Sequence, residues 1–327
     1  MKEIALLIHE DINLSTISGV LDMVRHTNRF LVESGKTEAF SVMLVGEKIN
    51  NNLLYFPAQF TGFKTIDEIK DVDLVIAPAF YGPPDLVMRK NKNLIDFIRN
   101  MYNKGAEVAS LCFGSYFLAE AGVLNGKPCT THWVAVDDMK RRYPDVNILP
   151  DMVTTDKDGT YTSGGAFSSM NLILYLIEKY CGRDTGIWAS KMFSLDIDRT
   201  SQAHFKVFEG QHQHEDQEIM RSQLFIENNY HLPISVEEIA GQTNMSKRNF
   251  IRRFKSATQN TPMEYLQKVK IESVKKGLEK TNFNISELMY KVGYNDLKTF
   301  RKIFKRITGL TPQDYRSKYC RRAVLEN

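Results

Sequence analysis

Short apolar runs alternate with amphipathic segments over the first 195 residues. The predicted strands are residues 4–8, 41–45, 55–60, 73–78 and 107–111, and the predicted helices are 17–32, 94–103 and 169–180. Runs that are apolar throughout are typical of strands covered on both faces. The alternation of strand and helix therefore predicts a parallel sheet with helices on both sides.

The last hundred residues contain one helical unit twice, about fifty residues apart. The matching positions are Phe250 and Phe300, Phe254 and Phe304, Thr258 and Thr308, Thr261-Pro262 and Thr311-Pro312, and Tyr265 and Tyr315. The constant offset indicates an internal repeat. Each copy predicts a short helix, a tight turn at Asn244 or Gly293, and a second helix that buries its phenylalanines. This spacing is typical of a helix-turn-helix.

The face opposite the phenylalanines is basic in both second helices. It carries Lys247, Arg248, Arg252 and Lys255 in the first copy, and Lys298, Arg301, Lys302 and Lys305 in the second. One basic helix can be a solvated surface, but two in register favour a nucleic-acid-binding function. Ser246 is the predicted N-cap of the first basic helix. Residues 262–280 predict a helix that connects the two copies.

This C-terminal stretch resembles the AraC/XylS family of bacterial DNA-binding domains. The resemblance is carried by Ala240, Met245-Ser246, Gly293-Tyr294 and Thr311-Pro312 followed by Tyr315-Arg316. It implies two recognition helices that approach adjacent major-groove segments on one face of double-stranded promoter DNA. The candidate DNA-binding residues are Ser246, Lys247, Arg248, Asn249, Arg252, Lys298, Thr299, Arg301 and Lys302. Because Arg binds guanine bidentately whereas Lys more often contacts phosphate, base recognition is expected to depend more on the first copy.

Charge and cysteine usage agree with this division. Residues 216–327 hold 21 Lys and Arg against 12 Asp and Glu, a net charge of +9, which leaves 22 against 27 elsewhere, a net of −5. A basic C-terminal part fits a polyanionic partner. The four cysteines are scattered without metal-type pairs, and we expect no signal peptide and no membrane span. These features predict a cytoplasmic protein.

A candidate reactive residue, Cys112, follows the strand at 107–111. Gly114 comes two residues later and a helical segment follows, the pattern of a nucleophile elbow. A helix N-terminus favours the thiolate, and His132 could act as a base. The alternative is a small buried residue without chemical function.

Residues 1–195 resemble the ThiJ/PfpI branch of the class I glutamine-amidotransferase-like superfamily, in the form fused to AraC-type domains. The resemblance is carried by Cys112-Phe113-Gly114, residues 118–122, Thr131-His132-Trp133 and residues 158–165. It implies an α/β flavodoxin-like parallel-sheet sandwich. The pocket residues that it implies are Cys112, Phe113, Gly114, His132, Gly164 and Gly165.

The resemblance departs from the enzymatic pattern at one position. Many members carry a carboxylate after the first strand, where this chain has Thr16, with Val20 at the following Pro position. Glu10 and Asp11 lie close enough in sequence to leave the question of an acid open. Because a Cys–His pair normally needs an orienting group, the pocket is interpreted as a ligand-binding or redox-sensing site rather than a catalytic one.

Three regions are predicted: an α/β ligand-sensing domain at 1–195, a polar linker at 196–217, and an all-α double helix-turn-helix domain at 218–320. The linker histidines His204, His212 and His214 lack companion ligands at metal-binding spacing, so no metal or cofactor is expected.

The predicted function is sequence-specific transcriptional regulation of promoter DNA in response to an unknown small-molecule effector. A homodimer is implied by the family type alone. Two alternatives stay open: a cysteine-dependent hydrolase or amidase with an accessory DNA-binding tail, and an architectural protein that binds nucleic acid without sequence preference.

Overall fold

A computed structural model describes residues 1–48, 62–212 and 214–320. The chain divides into two compact units between Gln202 and Ala203. The strand expected at 55–60 lies outside the described residues, and the limits of the three sequence-based regions stay a prediction. None of the helices in the described part of the chain has the length and apolarity needed to cross a membrane.

The first unit is built on a seven-stranded sheet. The strands among its described residues are β1 Lys2–Leu7, β2 Phe40–Gly46, β3 Phe63–Thr65, β4 Leu74–Ala77, β5 Glu107–Ser110, β6 Pro128–Cys129, β7 Asn147–Ile148, β8 Thr154–Lys157 and β9 Thr160–Ser163. The strand order is β3-β2-β1-β4-β5-β9-β8, and β6 pairs separately with β7. All neighbours in the main sheet are parallel except β8, which is antiparallel to β9.

The flavodoxin-like prediction is confirmed, and β8 is the one departure from a parallel sheet. β8 and β9 are joined by Asp158 and Gly159, whose φ angles are +47° and +70°. Two left-handed residues make the two-residue hairpin turn that suits the twist of antiparallel strands. The sequence Asp-Gly was therefore a hairpin signal as well as part of a family motif.

Helices cover both faces of this sheet. They are α1 Leu14–Glu33, α2 Pro84–Lys90, α3 Lys92–Asn103, α4 Ser115–Glu120, α5 Val136–Arg142, α6 Ser169–Cys181 and α7 Arg183–Phe193. One apolar layer packs against α2 to α5, and the other against α1, α6 and α7. The four residues of β4 are at most 1% exposed, which explains why its sequence is apolar throughout.

The second unit is helical apart from its connections. Its helices are α8 Gln217–Asn229, α9 Val236–Ala240, α10 Lys247–Thr258, α11 Pro262–Lys280, α12 Ile285–Lys291, α13 Leu297–Thr308 and α14 Pro312–Tyr319. One core contains Phe250, Phe254 and the first part of α11, and a second contains Phe300, Phe304 and the last part of α11. The connecting helix α11 therefore contributes to both cores.

The internal repeat extends to individual hydrogen bonds. Thr258 donates to the Phe254 carbonyl at 2.8 Å, and Thr308 donates to the Phe304 carbonyl at 2.9 Å. The Tyr265 hydroxyl donates to Glu227, just as the Tyr315 hydroxyl donates to Glu279. The two copies thus share their phenylalanine packing and these two kinds of polar contact.

Candidate DNA-binding surface and effector pocket

The first recognition helix, α10, presents a basic face opposite its buried phenylalanines. Ser246 caps it by accepting from the Asn249 N–H at 3.4 Å. Phe250 and Phe254 are fully buried, which turns the other face outward. Of the five residues that sequence analysis selected here, Ser246, Lys247, Arg248 and Arg252 are exposed and Asn249 is partly buried.

The second recognition helix, α13, has the same arrangement. Asp296 caps it through the Thr299 N–H, and Phe300 and Phe304 are fully buried. The four residues selected from its sequence, Lys298, Thr299, Arg301 and Lys302, are all exposed. The nine candidates therefore form two groups, one on each recognition helix.

The turns before the two recognition helices differ. Gly293 has a φ of +76°, and a Cβ at this position would lie 2.4 Å from the His231 carbonyl oxygen, so only glycine fits. Asn244 marks the first turn in the sequence, yet it is not among the residues with positive φ. Asn244 and Gly293, which the sequence marks as equivalent turn residues, thus have different backbone conformations.

Three basic side chains near α10 and α13 have structural partners. Arg253 donates two hydrogen bonds to Asp216, at 2.9 and 2.8 Å, and Arg306 donates to Gln267. Lys247 forms an ion pair with Glu237 of α9. Sequence analysis did not identify Arg253 as a structural residue, because basic residues on one helix look alike until the neighbouring helix is known.

The candidate pocket residues of the first unit lie around a sharp turn at Cys112. This residue comes after Leu111, which follows β5, and it has a φ of +56°. A Cβ at Gly114 would lie 2.2 Å from the Ala77 carbonyl oxygen, so glycine is required for the chain to pass β4. The elbow geometry expected from the sequence is therefore present.

The Cys112 thiol is not activated. It is 4% exposed, and burial raises its pKa above the usual value, although N–H groups of Ala166 and Phe113 lower it to a smaller extent. The expectation that the helix N-terminus would favour a thiolate was wrong in its net effect. The turn is followed by a helix of only six residues, Ser115–Glu120, and burial is the largest influence on the pKa of the thiol.

His132 lies at the same end of the sheet but is not paired with the thiol. Its ring stacks on Phe113 at a centroid distance of 5.4 Å, and its Nδ1 accepts from the Val134 N–H at 3.1 Å. No hydrogen bond joins Cys112 and His132 within the described part of the chain, and burial lowers the pKa of His132. His132 is therefore a neutral wall of the pocket.

Gly165 is required beside His132. A Cβ there would lie 2.0 Å from His132 Cδ2, and one at Gly164 would lie 2.6 Å from Oε1 of Gln202. The structure thus brings Phe113, His132 and Gly165 together around the turn at Cys112.

Thr16 occupies the position of the acid in the enzymatic pattern and supplies no carboxylate. This residue is 2% exposed, and its hydroxyl donates to the Asn13 carbonyl at 2.7 Å. The Asp11 carboxylate lies 3.5 Å from Lys90 Nζ. Neither residue supplies a carboxylate that orients a Cys112–His132 pair.

Two family models match the chain. One, for a helix-turn-helix domain, matches residues 239–318, and the other, for the DJ-1/PfpI family, matches residues 59–179. The HTH-type transcriptional regulator GbdR of Pseudomonas aeruginosa is 28% identical over 262 residues, which is 79% of this chain and 70% of GbdR. The chain is a transcriptional regulator that joins a helix-turn-helix domain to a DJ-1/PfpI domain.

Two further similarities each cover part of the regulator. The isonitrile hydratase of Pseudomonas putida is 30% identical over 122 residues, which is 37% of this chain and 51% of the hydratase. A crystal structure of an AraC family transcriptional regulator from Pseudomonas putida aligns with 59% of this chain and 100% of that chain, at 17% identity and a TM-score of 0.49.

The regulator contains a buried contact that the sequence did not suggest. Gln202, within the stretch interpreted as a polar linker, is 1% exposed. Its Nε2 donates to the Thr131 carbonyl at 2.9 Å, and its Oε1 accepts from the Gly165 N–H at 3.1 Å. Nothing in the surrounding polar sequence distinguishes this glutamine from a solvated one.

His9 is a second buried residue that the sequence analysis missed. It is 7% exposed at the end of β1 and packs against Phe117 and Phe80 at centroid distances of 5.2 and 6.4 Å. Neither ring nitrogen has a hydrogen-bond partner within the described residues. Burial lowers the pKa of His9 to about 4, even though Asp11 raises it.

The linker histidines of the regulator have local partners. His212 Nε2 lies 3.2 Å from Glu227, and His214 Nε2 lies 2.8 Å from the Gln223 side-chain oxygen. Across residues 1–48, 62–212 and 214–320, no three His, Cys, Asp or Glu side chains are grouped as a metal site.

Proposed function

We propose that the regulator binds operator sequences in double-stranded promoter DNA through α10 and α13. The single observation that carries this proposal is the repeated exposure of basic residues opposite two buried phenylalanine pairs. A positive helix face without buried partners is the kind of surface that a major groove accommodates. The contacting residues we propose are Ser246, Lys247, Arg248, Asn249, Arg252, Lys298, Thr299, Arg301 and Lys302.

The first unit is proposed to bind a small-molecule effector in the pocket at Cys112, Phe113, Gly114, His132, Gly164 and Gly165. These residues follow β5, β6 and β9, and ligands of open α/β sheets bind where strands end. The stacked Phe113 and His132 rings offer an apolar wall. We further propose a homodimer, as the AraC-type resemblance implies, acting in the cytoplasm.

A catalytic role for this pocket is not part of the proposal. The buried thiol, the neutral His132 and the absence of an orienting carboxylate at Thr16 argue for recognition rather than turnover.

Fluorescence anisotropy tests the proposed DNA binding. The full chain is titrated against a duplex from upstream of its own gene and against a scrambled duplex, over a range of salt. We expect the upstream duplex to bind about a thousandfold more tightly at physiological salt. Equal affinities with a steep salt dependence would instead favour the architectural alternative. Sedimentation of the same protein measures the proposed dimer.

A further inference from the structure

We propose that Gln202 is a clamp that couples the effector pocket to the DNA-binding unit. The inference rests on the proposed function, since it assigns the route by which the pocket would control the recognition helices. Gln202 is the last residue of the first unit.

The side chain of Gln202 satisfies both ends of its amide inside the first unit. Nε2 is within 3.2 Å of the Pro150 and Met152 carbonyl oxygens as well as 2.9 Å from Thr131 O, and Oε1 accepts from Gly165. The backbone N–H of Gln202 donates to the Asp151 carbonyl at 2.8 Å. A buried amide with complete partners holds one position, because leaving any partner unpaired is costly.

These partners are parts of the pocket. The backbone at Gly165 lies against the His132 ring, and Thr131 precedes His132 in the chain. The N–H that Gln202 accepts from therefore belongs to the loop that lies against His132. Gly164 is equally close, since a Cβ there would meet Oε1 of Gln202 at 2.6 Å.

Lys206, four positions after Gln202, anchors the chain within the second unit. The Lys275 ammonium donates to the Lys206 carbonyl, and the Glu272 carboxylate accepts from the Phe208 N–H at 3.1 Å. Lys275 and Glu272 form a buried ion pair on α11, with side chains 5% and 10% exposed. Breaking such a pair is costly, so this second anchor is firm.

The residues between the two anchors contact the second helix-turn-helix. Residues Ala203–Phe205 form a 3₁₀ turn that contacts α13, and the Lys318 ammonium of α14 lies 5.9 Å from the Phe205 ring. Four residues span at most about 14 Å. A segment this short has little slack, so release of Gln202 alters the restraint on Lys206 and on the turn beside α13.

Hydrogen exchange of the full chain tests this clamp at both ends. Exchange at the Gly165 N–H measures whether the Gln202 contact in the first unit is intact. Exchange at the Phe208 N–H and at the N–H groups of α13 measures whether the contacts of the far anchor, Lys206 and Phe208 with Lys275 and Glu272, are intact. Gln202→Met keeps the side-chain length without the amide, and Gly164→Ala pushes Oε1 out of its position. In both variants we expect exchange to rise about threefold or more at Gly165 and also at Phe208 and α13.

Three further variants make the result specific. Phe167→Ala changes an exposed side chain of the same loop and should leave Phe208 unchanged. Gln202→Met combined with Gly164→Ala should match the stronger single variant, because both act on one contact. Lys275→Met releases the anchor at Lys206 and should raise exchange at Phe208 and, because coupling between two sites is reciprocal, also at Gly165.

Unchanged exchange at Phe208 and α13 in Gln202→Met overturns the clamp, as does unchanged exchange at Gly165. No DNA is present in these measurements. Failure of the DNA-binding proposal would appear only in the anisotropy titration, so the two failures are distinguishable.

Discussion

Arg253 fastens the first recognition helix to α8 through Asp216. The guanidinium donates to both carboxylate oxygens, and Asp216 also accepts from the Ile219 N–H at 3.2 Å as the N-cap of α8. Burial raises the pKa of Asp216, but the hydrogen bonds from Arg253 and Ile219 outweigh it and the pKa falls below its usual range. Arg252, one residue earlier, lies at the exposed face and donates to Asn249 at 2.9 Å. Adjacent arginines therefore have different roles, one in the fold and one in the proposed interface.

Substituting these two arginines should separate DNA binding from stability. Arg252→Ala should weaken operator binding by about 1–3 kcal/mol and leave unfolding unchanged, because its partner is on its own helix. Arg253→Ala should lower the free energy of unfolding by about 1 kcal/mol, because it removes a partly exposed ion pair from a helix cap. Anisotropy and urea denaturation measure the two effects. Equal effects of both variants on both measurements would contradict the assignment.

Lysines of α13 should contribute affinity without sequence preference. Lys298→Ala and Lys302→Ala should each remove one phosphate contact. Each is therefore expected to reduce the slope of log affinity against log salt concentration by about one, for the upstream and the scrambled duplex alike. Arg248→Ala should instead weaken binding to the upstream duplex more than to the scrambled one. A lysine variant that lost only specific binding would show that α13 recognises bases.

The sequence predicted structure best where residues of one type recur at a regular spacing. The paired phenylalanines, the Thr-Pro repeats and the basic faces predicted α10 and α13 because a helix exposes residues at fixed spacing. The apolar run at β4 predicted a buried central strand for a similar reason. These features are local, so they are visible without knowledge of distant contacts.

Residues with long-range partners could not be recognised in this way. Gln202 is buried because its partners come from Thr131, Pro150, Met152 and Gly165, which are 37 to 71 positions away. The raised pKa of Cys112 depends likewise on burial, which the elbow motif does not encode. The sequence therefore predicted the sharp turn at Cys112 but not the electrostatics of its thiol.

His9 should make the first unit sensitive to acid. Its pKa is about 4 in the fold and about 6.5 in the unfolded chain, so below pH 6.5 the unfolded state binds a proton that the native state does not. Stability should fall as the pH drops from 6.5 to 4, by at most about 3 kcal/mol. His9→Phe, which fits between Phe80 and Phe117, should remove this part of the pH dependence. A variant with the wild-type pH profile of urea midpoints would contradict the assignment.

Cys112 should react slowly with iodoacetamide at neutral pH. Its raised pKa keeps it a thiol, and burial restricts access, whereas Cys320 is partly exposed. Peptide mass spectrometry should find Cys320 labelled first and Cys112 labelled faster only as the pH rises. The Cys112→Ser protein identifies the peptide. Preferential labelling of Cys112 would revive the hydrolase alternative.

The most direct test of the central claim is a hydroxyl-radical and methylation-protection footprint of the full chain on its upstream DNA. Two recognition helices that enter adjacent major-groove segments should protect two regions on one face of the duplex, about 10 base pairs apart. Substitutions at Arg248 and Arg252 should weaken one region, and substitutions at Lys298 and Lys302 the other. A single protected region, or uniform protection along the duplex, would contradict DNA recognition by the two repeated units.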